Sequence, residues 1–170
     1  MLRWDRRKKK KKKEHLPLFG VGPIYVYTIA MITLIAFLCR NLSVFEAGRL
    51  SNIKAILIIL GSVLVVIGAV MWIMAVIVSK LDNNIKKNHI VTTGIYAWVR
   101  NPIYSACMFA CTGFILMIGN AFFFVLPFVY WLFMTVLMKQ TEEKWLRALY
   151  GQEYEDYCKR VNRCIPFKRG

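Results

Sequence analysis

The chain has 170 residues, 58% of them hydrophobic, yet it carries a formal charge of +15 at a mean hydropathy of +0.46. One water-soluble core cannot hold both extremes, so they must be segregated along the chain. That excludes a soluble globular enzyme, a disulfide-rich secreted domain and a disordered nucleic-acid-binding tail protein, and it predicts an all-α polytopic membrane protein.

From the N-terminus, residues 1–20 form a polybasic tail that includes the unbroken run Lys8 to Lys13. Beside a first apolar span, such a run reads as an orientation signal attracted to anionic lipid headgroups at about 1 kcal/mol per charge, not as a nucleic-acid arm. A cleaved signal peptide also fits the basic start, but the apolar run that follows is long and lacks a small-residue cleavage pattern. Charge is absent from Leu16 to Cys39, from Ala55 to Ser79 and from Asn101 to Met138. The first two runs each predict one span, over about 21–39 and 55–78, because a crossing takes about 20 residues. The third is too long for one crossing, and Gly119-Asn120 interrupts it with turn-forming residues. It predicts a helical hairpin with arms 103–118 and 121–138, roughly 24 and 27 Å long. Four spans result, and residues 21–170 read as a single membrane domain whose last part, 139–170, is a C-terminal segment.

Orientation follows from the distribution of Lys and Arg, which are retained on the cytoplasmic side of short loops. Nine fall before the first span, four in 79–102 and eight in 139–170, against three in the Arg40 to Lys54 connection and none in the Gly119-Asn120 turn. Four spans with both termini cytoplasmic gather all but those three on one side; an odd number would spoil the partition. The five cysteines, at 39, 107, 111, 158 and 164, do not read as a disulfide framework. Cys107 and Cys111 share a helix face, but His15 and His89 are remote in sequence. Buried free thiols are therefore the better account than a metal site.

Polar residues with specific spacing bracket the hairpin on the cytoplasmic side. Before it stand Gly94-Ile95-Tyr96 and Arg100-Asn101-Pro102-Ile103-Tyr104. Asn is a favoured N-cap and Pro suits the first helical position, so Asn101-Pro102 starts a helix whose free N–H groups can hold an anion. After the hairpin come Glu142-Glu143, adjacent carboxylates that point about 100° apart on a helix, so that one can face inward. If the turn is tight, Arg100 and Glu142 return to the same depth and form one polar pocket, or else an ordinary interfacial ion pair worth roughly 0 to 1 kcal/mol. Beyond them Trp145, Leu146, Leu149, Tyr154, Tyr157, Cys158 and Val161 follow a helical stripe broken at Gly151. They predict two short amphipathic helices, with Tyr150, Tyr154 and Tyr157 as interfacial aromatics or, less simply, as stacking partners for an adenine.

Taken together, Gly94-Ile95-Tyr96, Arg100-Asn101-Pro102-Ile103-Tyr104, Glu142-Glu143, Tyr150-Gly151, Tyr154, Tyr157, Arg163 and Pro166 resemble the isoprenylcysteine carboxyl methyltransferase and phospholipid methyltransferase family over residues 92–167. Asn101 stands where that pattern usually has His, and Ala106 where it has Gly. The resemblance implies a small integral membrane enzyme that binds S-adenosyl-L-methionine from the cytosol and methylates a lipidic or prenylated substrate entering from the bilayer. Carried over by position, Tyr96, Arg100, Asn101, Pro102 and Tyr104 contact the cofactor or orient substrate, Glu142 and Glu143 bind its ammonium or ribose, and Tyr154 and Arg163 are further candidates. Arg100 and Glu142 are the candidate catalytic pair. A carboxylate acceptor is already ionised near neutral pH and needs no general base, whereas a lipid amine needs a proton acceptor such as Glu142 or Glu143. That tilts the reading toward carboxyl O-methylation, with Arg100 holding the carboxylate. The alternatives are phospholipid amine N-methylation, an NADPH-dependent membrane reductase similar in its C-terminal part, and a non-catalytic lipid-binding subunit.

Overall fold

A computed structural model describes residues 21–81 and 90–167. The polybasic tail and both histidines lie outside the described residues. Among the described residues six α-helices follow in chain order: α1 (Gly22–Cys39), α2 (Lys54–Leu81), α3 (Pro102–Ile118), α4 (Leu126–Gln140), α5 (Glu142–Tyr150) and α6 (Gln152–Arg160), with short 3-10 turns between several of them. The described residues contain no β-strand, only two isolated bridges. Three helical stretches, Gly22–Cys39, Ser51–Ile77 and Ala121–Tyr150, are long and apolar enough to cross a membrane; α3 is a shorter apolar helix of 17 residues.

The outer faces of α1 and α2 are as apolar as the interior. Ile24, Met31, Leu34, Leu38, Ile56, Ile59, Val63 and Val66 are all exposed. A water-soluble protein rarely leaves so large an apolar surface bare, whereas hydrocarbon solvates it. The inner faces of α1, α3 and α4 meet over Tyr25, Ile29, Met108, Ile115, Tyr130, Met134 and Met138, all buried. Within that core, the Tyr25 hydroxyl donates to the Tyr130 carbonyl at 3.2 Å, and the Thr33 and Tyr130 hydroxyls share a hydrogen bond of 2.9 Å. Both tie α1 to α4.

Helix α3 sits against α2 at very close range because small residues line the contact. A Cβ on Gly61 would lie 2.5 Å from the Gly113 carbonyl, and one on Gly113 would meet the Gly61 carbonyl at the same distance. Without a hydrophobic driving force between helices in lipid, such close backbone packing supplies much of their association.

The hairpin turn forms at 119–120. Gly119 ends α3 in the left-handed region (φ 69°), a conformation that costs glycine nothing, and its N–H returns to the Leu116 carbonyl. The second arm does not begin directly as α-helix. Residues Ala121–Val125 form a 3-10 turn and α4 starts only at Leu126, with Pro127 in its first turn, where the missing N–H is harmless. Asn120 locks the turn to the connection between α1 and α2: its side chain donates to the Phe45 carbonyl (2.7 Å) and accepts from the Phe122 N–H (3.1 Å). The bundle thus has two ends, one where α1 stops, α2 starts and α3 turns into α4, and another where α3 starts and α4 gives way to α5.

Candidate functional site

The second end collects most of the residues singled out in the sequence. Thr141 interrupts the helix between α4 and α5 (φ −122°, ψ −89°), and Glu142 and Glu143 open α5 immediately beyond it. The two carboxylates part as neighbours on a helix must, but Arg100 meets Glu143 and not Glu142. The Arg100 Nη1 to Glu143 Oε1 distance is 3.3 Å, with the two side chains 8% and 1% exposed. Arg163 grips the same carboxylate through both oxygens, at 2.5 and 3.0 Å, and Arg147, one turn along α5, stands 3.9 Å away. Burial alone would raise the Glu143 pKa, but the Arg163 hydrogen bonds and the charges of Arg100, Arg163 and Arg147 outweigh it and hold the group below the ordinary glutamate value. The expected interfacial ion pair is therefore a buried cluster of one carboxylate and several guanidiniums, a fork geometry that Arg suits better than Lys.

Glu142 turns toward α1. Its Oε1 accepts from the Tyr104 hydroxyl at 2.9 Å, and Gly22, at the start of α1, lies directly against the same tyrosine. Burial raises the Glu142 pKa, opposed by the Tyr104 hydroxyl and the Gly22 N–H. This carboxylate forms no ion pair among the described residues.

The other predicted site residues frame the cluster. Asn101 and Pro102 do start α3, but the Asn101 side chain does not cap it; the amide donates to the Arg163 carbonyl at 3.3 Å, binding the helix start to the C-terminal segment instead. Pro102 is fully buried. Tyr96 is half-buried, and its carbonyl accepts from the Tyr157 hydroxyl at 2.6 Å. Tyr154 and Tyr157 are 2% and 4% exposed and pack with Val161 and Leu146. They are core residues of the α5 and α6 layer, not interfacial aromatics, because the Gly151 break folds α6 back and buries the shared face.

Three partners escaped the sequence reading. Cys158 accepts a hydrogen bond from the Arg100 guanidinium. Asn162 continues from α6 as extended chain beside Val99, and its carbonyl accepts the Arg100 N–H at 2.9 Å. Arg147 was signalled by its i, i+4 spacing from Glu143; nothing local marks the other two.

Beside this cluster lies a cavity of about 600 Å³, lined among others by Arg100, Lys139, Arg163, Trp131, Thr135 and Phe167. The Arg100 Nε is buried without a hydrogen-bond partner, and the Ser105 hydroxyl one turn into α3 is likewise unpaired. Three cations, two aromatic rings and an orphaned guanidinium N–H suit a ligand with a carboxylate and a planar or apolar body.

Comparison with known proteins agrees with this composition. Similar sequences include protein-S-isoprenylcysteine O-methyltransferase of Schizosaccharomyces pombe, 40% identical over 83 residues, or 47% of this chain and 34% of the relative. The enzyme of that name from Mus musculus is 34% identical over 48% of this chain and 29% of its own length. A probable protein-S-isoprenylcysteine O-methyltransferase of Oryza sativa subsp. indica is 32% identical over 48% of this chain and 42% of the relative. The chain thus spans well under half the length of these curated relatives. No solved structure matches significantly. The family described as phospholipid methyltransferase matches residues 53–153, more than half of the chain and both sides of the Arg100 to Glu143 cluster, and the chain belongs to that family.

Proposed function

We propose that this chain is an S-adenosylmethionine-dependent methyltransferase acting on the carboxylate of a lipidic or prenylated acceptor at the Arg100 and Glu143 end of the bundle. The observation that carries the reading is the buried Arg100, Glu143 and Arg163 cluster bordering an apolar-walled cavity of about 600 Å³. The family relationship and the printed names of the relatives support the reaction class.

In this reading α3 is a fourth, short crossing of about 25 Å, paired with α4 through the Gly119 turn. Both termini face the cytoplasm, in keeping with the charge distribution, and residues 21–170 act as one domain. The polybasic tail lies against anionic headgroups, and α5 and α6 form a cover at that membrane surface.

S-adenosylmethionine, when bound, supplies an electrophilic methyl group on a sulfonium, so the protein's task is positioning and electrostatics. Arg100, Arg163 and Lys139 draw an acceptor carboxylate into the cavity, and Trp131 and Phe167 provide an apolar wall for its chain. An ionised carboxylate needs no base, so these residues would have only to hold its oxygen toward the methyl group that the cofactor would supply. Glu142, which pairs with no cation among the described residues, is the carboxylate left to receive the cofactor's ammonium or ribose, with Tyr104 orienting it. Asn101 steadies Arg163 through its backbone carbonyl, and Tyr96 anchors α6 through its own. Glu143, Pro102 and Tyr154 are buried and act by holding Arg100 and α3 in place.

The test is transfer of labelled methyl by the purified chain to a panel of prenylcysteine, fatty-acid and aminophospholipid acceptors. The reading expects product with the carboxylate acceptors and a loss of at least about 100-fold in Arg100→Ala, the scale of one lost transition-state contact. Product with amines alone would favour N-methylation, for which Glu142, raised in pKa by burial and without a salt bridge among the described residues, is the available proton acceptor.

A further inference from the structure

The opposite end of the bundle carries a second cavity, of about 520 Å³, between the end of α1, the start of α2 and the end of α3. Its rim holds Arg40, Arg49 and Lys54, and its floor is Phe37, Ile58 and Phe114. These are the three cations that the charge distribution leaves on the far side. None of them belongs to an ion pair among the described residues, although Glu46 lies in the same connection. Arg40 is held in place: its guanidinium donates to the Phe37 carbonyl at 2.7 Å and stacks over the Phe37 ring at 3.8 Å, an arrangement that leaves it further N–H groups. Arg49 makes one long contact of 3.4 Å to Asn41.

The apolar floor is arranged by depth. Phe37 lies a turn below Arg40 on α1, Ile58 a turn below Lys54 on α2, and Phe114 a turn below Ile118 on α3. All three are exposed, so a trough runs from the cations toward the middle of the bundle. A soluble anion would use the rim and leave the trough bare. A molecule with a phosphate head and a hydrocarbon chain uses both, and its size suits a cavity of this class.

We propose that this cavity binds an anionic phospholipid of the far leaflet, its phosphate between Arg40, Arg49 and Lys54 and one acyl chain along Phe37, Ile58 and Phe114. The site is separate from the methyl-transfer cavity, so it stands or falls independently of the proposed reaction.

Native mass spectrometry of the full chain in detergent, with phosphatidylglycerol and phosphatidylcholine of matched chains, tests it. The expected result is preferential retention of phosphatidylglycerol, reduced about thirtyfold in the double variant Arg40→Gln and Lys54→Gln, on the scale of two lost charge contacts. Ser51→Asp, at an exposed rim position, should weaken retention by repelling the phosphate and by competing for Lys54. Replacing Lys8 to Lys13 by Gln should leave the preference intact. Equal retention of the two lipids, unchanged retention in both rim variants, loss of the preference in the tail variant alone, or displacement by inorganic phosphate would each overturn the proposal.

Discussion

The two ends of the bundle handle positive charge in opposite ways. At the α5 end, Arg100 and Arg163 are drawn onto one buried carboxylate, Glu143, their side chains 8% and 17% exposed. At the hairpin end, Arg40, Arg49 and Lys54 have no carboxylate partner among the described residues, and a polar amide, Asn120, does the structural work instead. The contrast separates two uses of the same residue types. Charges neutralised internally hold segments together, here α3, α5 and the C-terminal chain. Charges with no internal partner face their cavity unneutralised, whereas Arg100 and Arg163 serve both Glu143 and the cavity that they line.

The largest expected effect sharpens the first half of that contrast. Glu143→Ala leaves Arg100 and Arg163 buried without their counter-charge, and it should destabilise the protein by about 3–5 kcal/mol, the usual result of removing one partner of a buried pair. Thermal unfolding in detergent measures this, and a loss below about 1 kcal/mol would mean that the cluster is not a clasp. Next in size is Gly61→Leu, which drives a side chain into the Gly113 backbone and should cost about 1–3 kcal/mol through strain between α2 and α3. Asn120→Ala should cost about 1–2 kcal/mol, because the Phe45 carbonyl loses its donor and the Phe122 N–H its acceptor. Smallest is Arg147→Ala. That side chain is 49% exposed and 3.9 Å from Glu143, so its removal should change stability by less than about 1 kcal/mol.

Acid should act in opposite directions on the two glutamates of the α5 end. Glu143 has a depressed pKa in the folded protein, so its contribution to stability is present above the ordinary glutamate value and is lost as pH falls through the depressed one. Glu142 has the opposite sign: with a raised folded pKa, it favours folding most when protonated, and that contribution fades as pH rises through the raised value. Unfolding of Glu143→Gln followed downward in pH should therefore lack the steepest part of the wild-type decline. An unaltered acid slope would place the sensitive carboxylate elsewhere.

Much of the architecture was legible because hydrocarbon imposes a simple rule, that charge-free stretches of crossing length become helices. The breaks at Gly119 and Gly151 were equally legible, since both residues sit at positive φ, where glycine is favoured. The facing of the two glutamates was not. Thr141 departs from helical geometry, so the rotational phase of α4 does not carry into α5, and no count of 3.6 residues per turn from Met138 says whether Glu142 or Glu143 meets Arg100. The tyrosines were misplaced for a related reason. An aromatic stripe beside a membrane looks interfacial until the fold-back of α6 is known, and that depends on the pairing of Val99 with Asn162, a contact between distant segments that leaves no periodic trace. The hairpin-end cavity was invisible as well, since Arg40, Arg49 and Lys54 come from the flanks of a single connection and converge only when α3 closes against it.

The central claim, that cofactor chemistry resides at the Arg100 and Glu142 end, is tested most directly by calorimetric titration of the purified chain with S-adenosylhomocysteine, in the wild type and in Glu142→Ala. The account predicts saturable binding, weakened at least about tenfold in the variant, which still unfolds cooperatively because Glu142 makes no ion pair among the described residues and its loss removes only the hydrogen bonds from the Tyr104 hydroxyl and the Gly22 N–H. Saturable binding of NADPH in place of S-adenosylhomocysteine, or identical S-adenosylhomocysteine affinity in the two proteins, would contradict it.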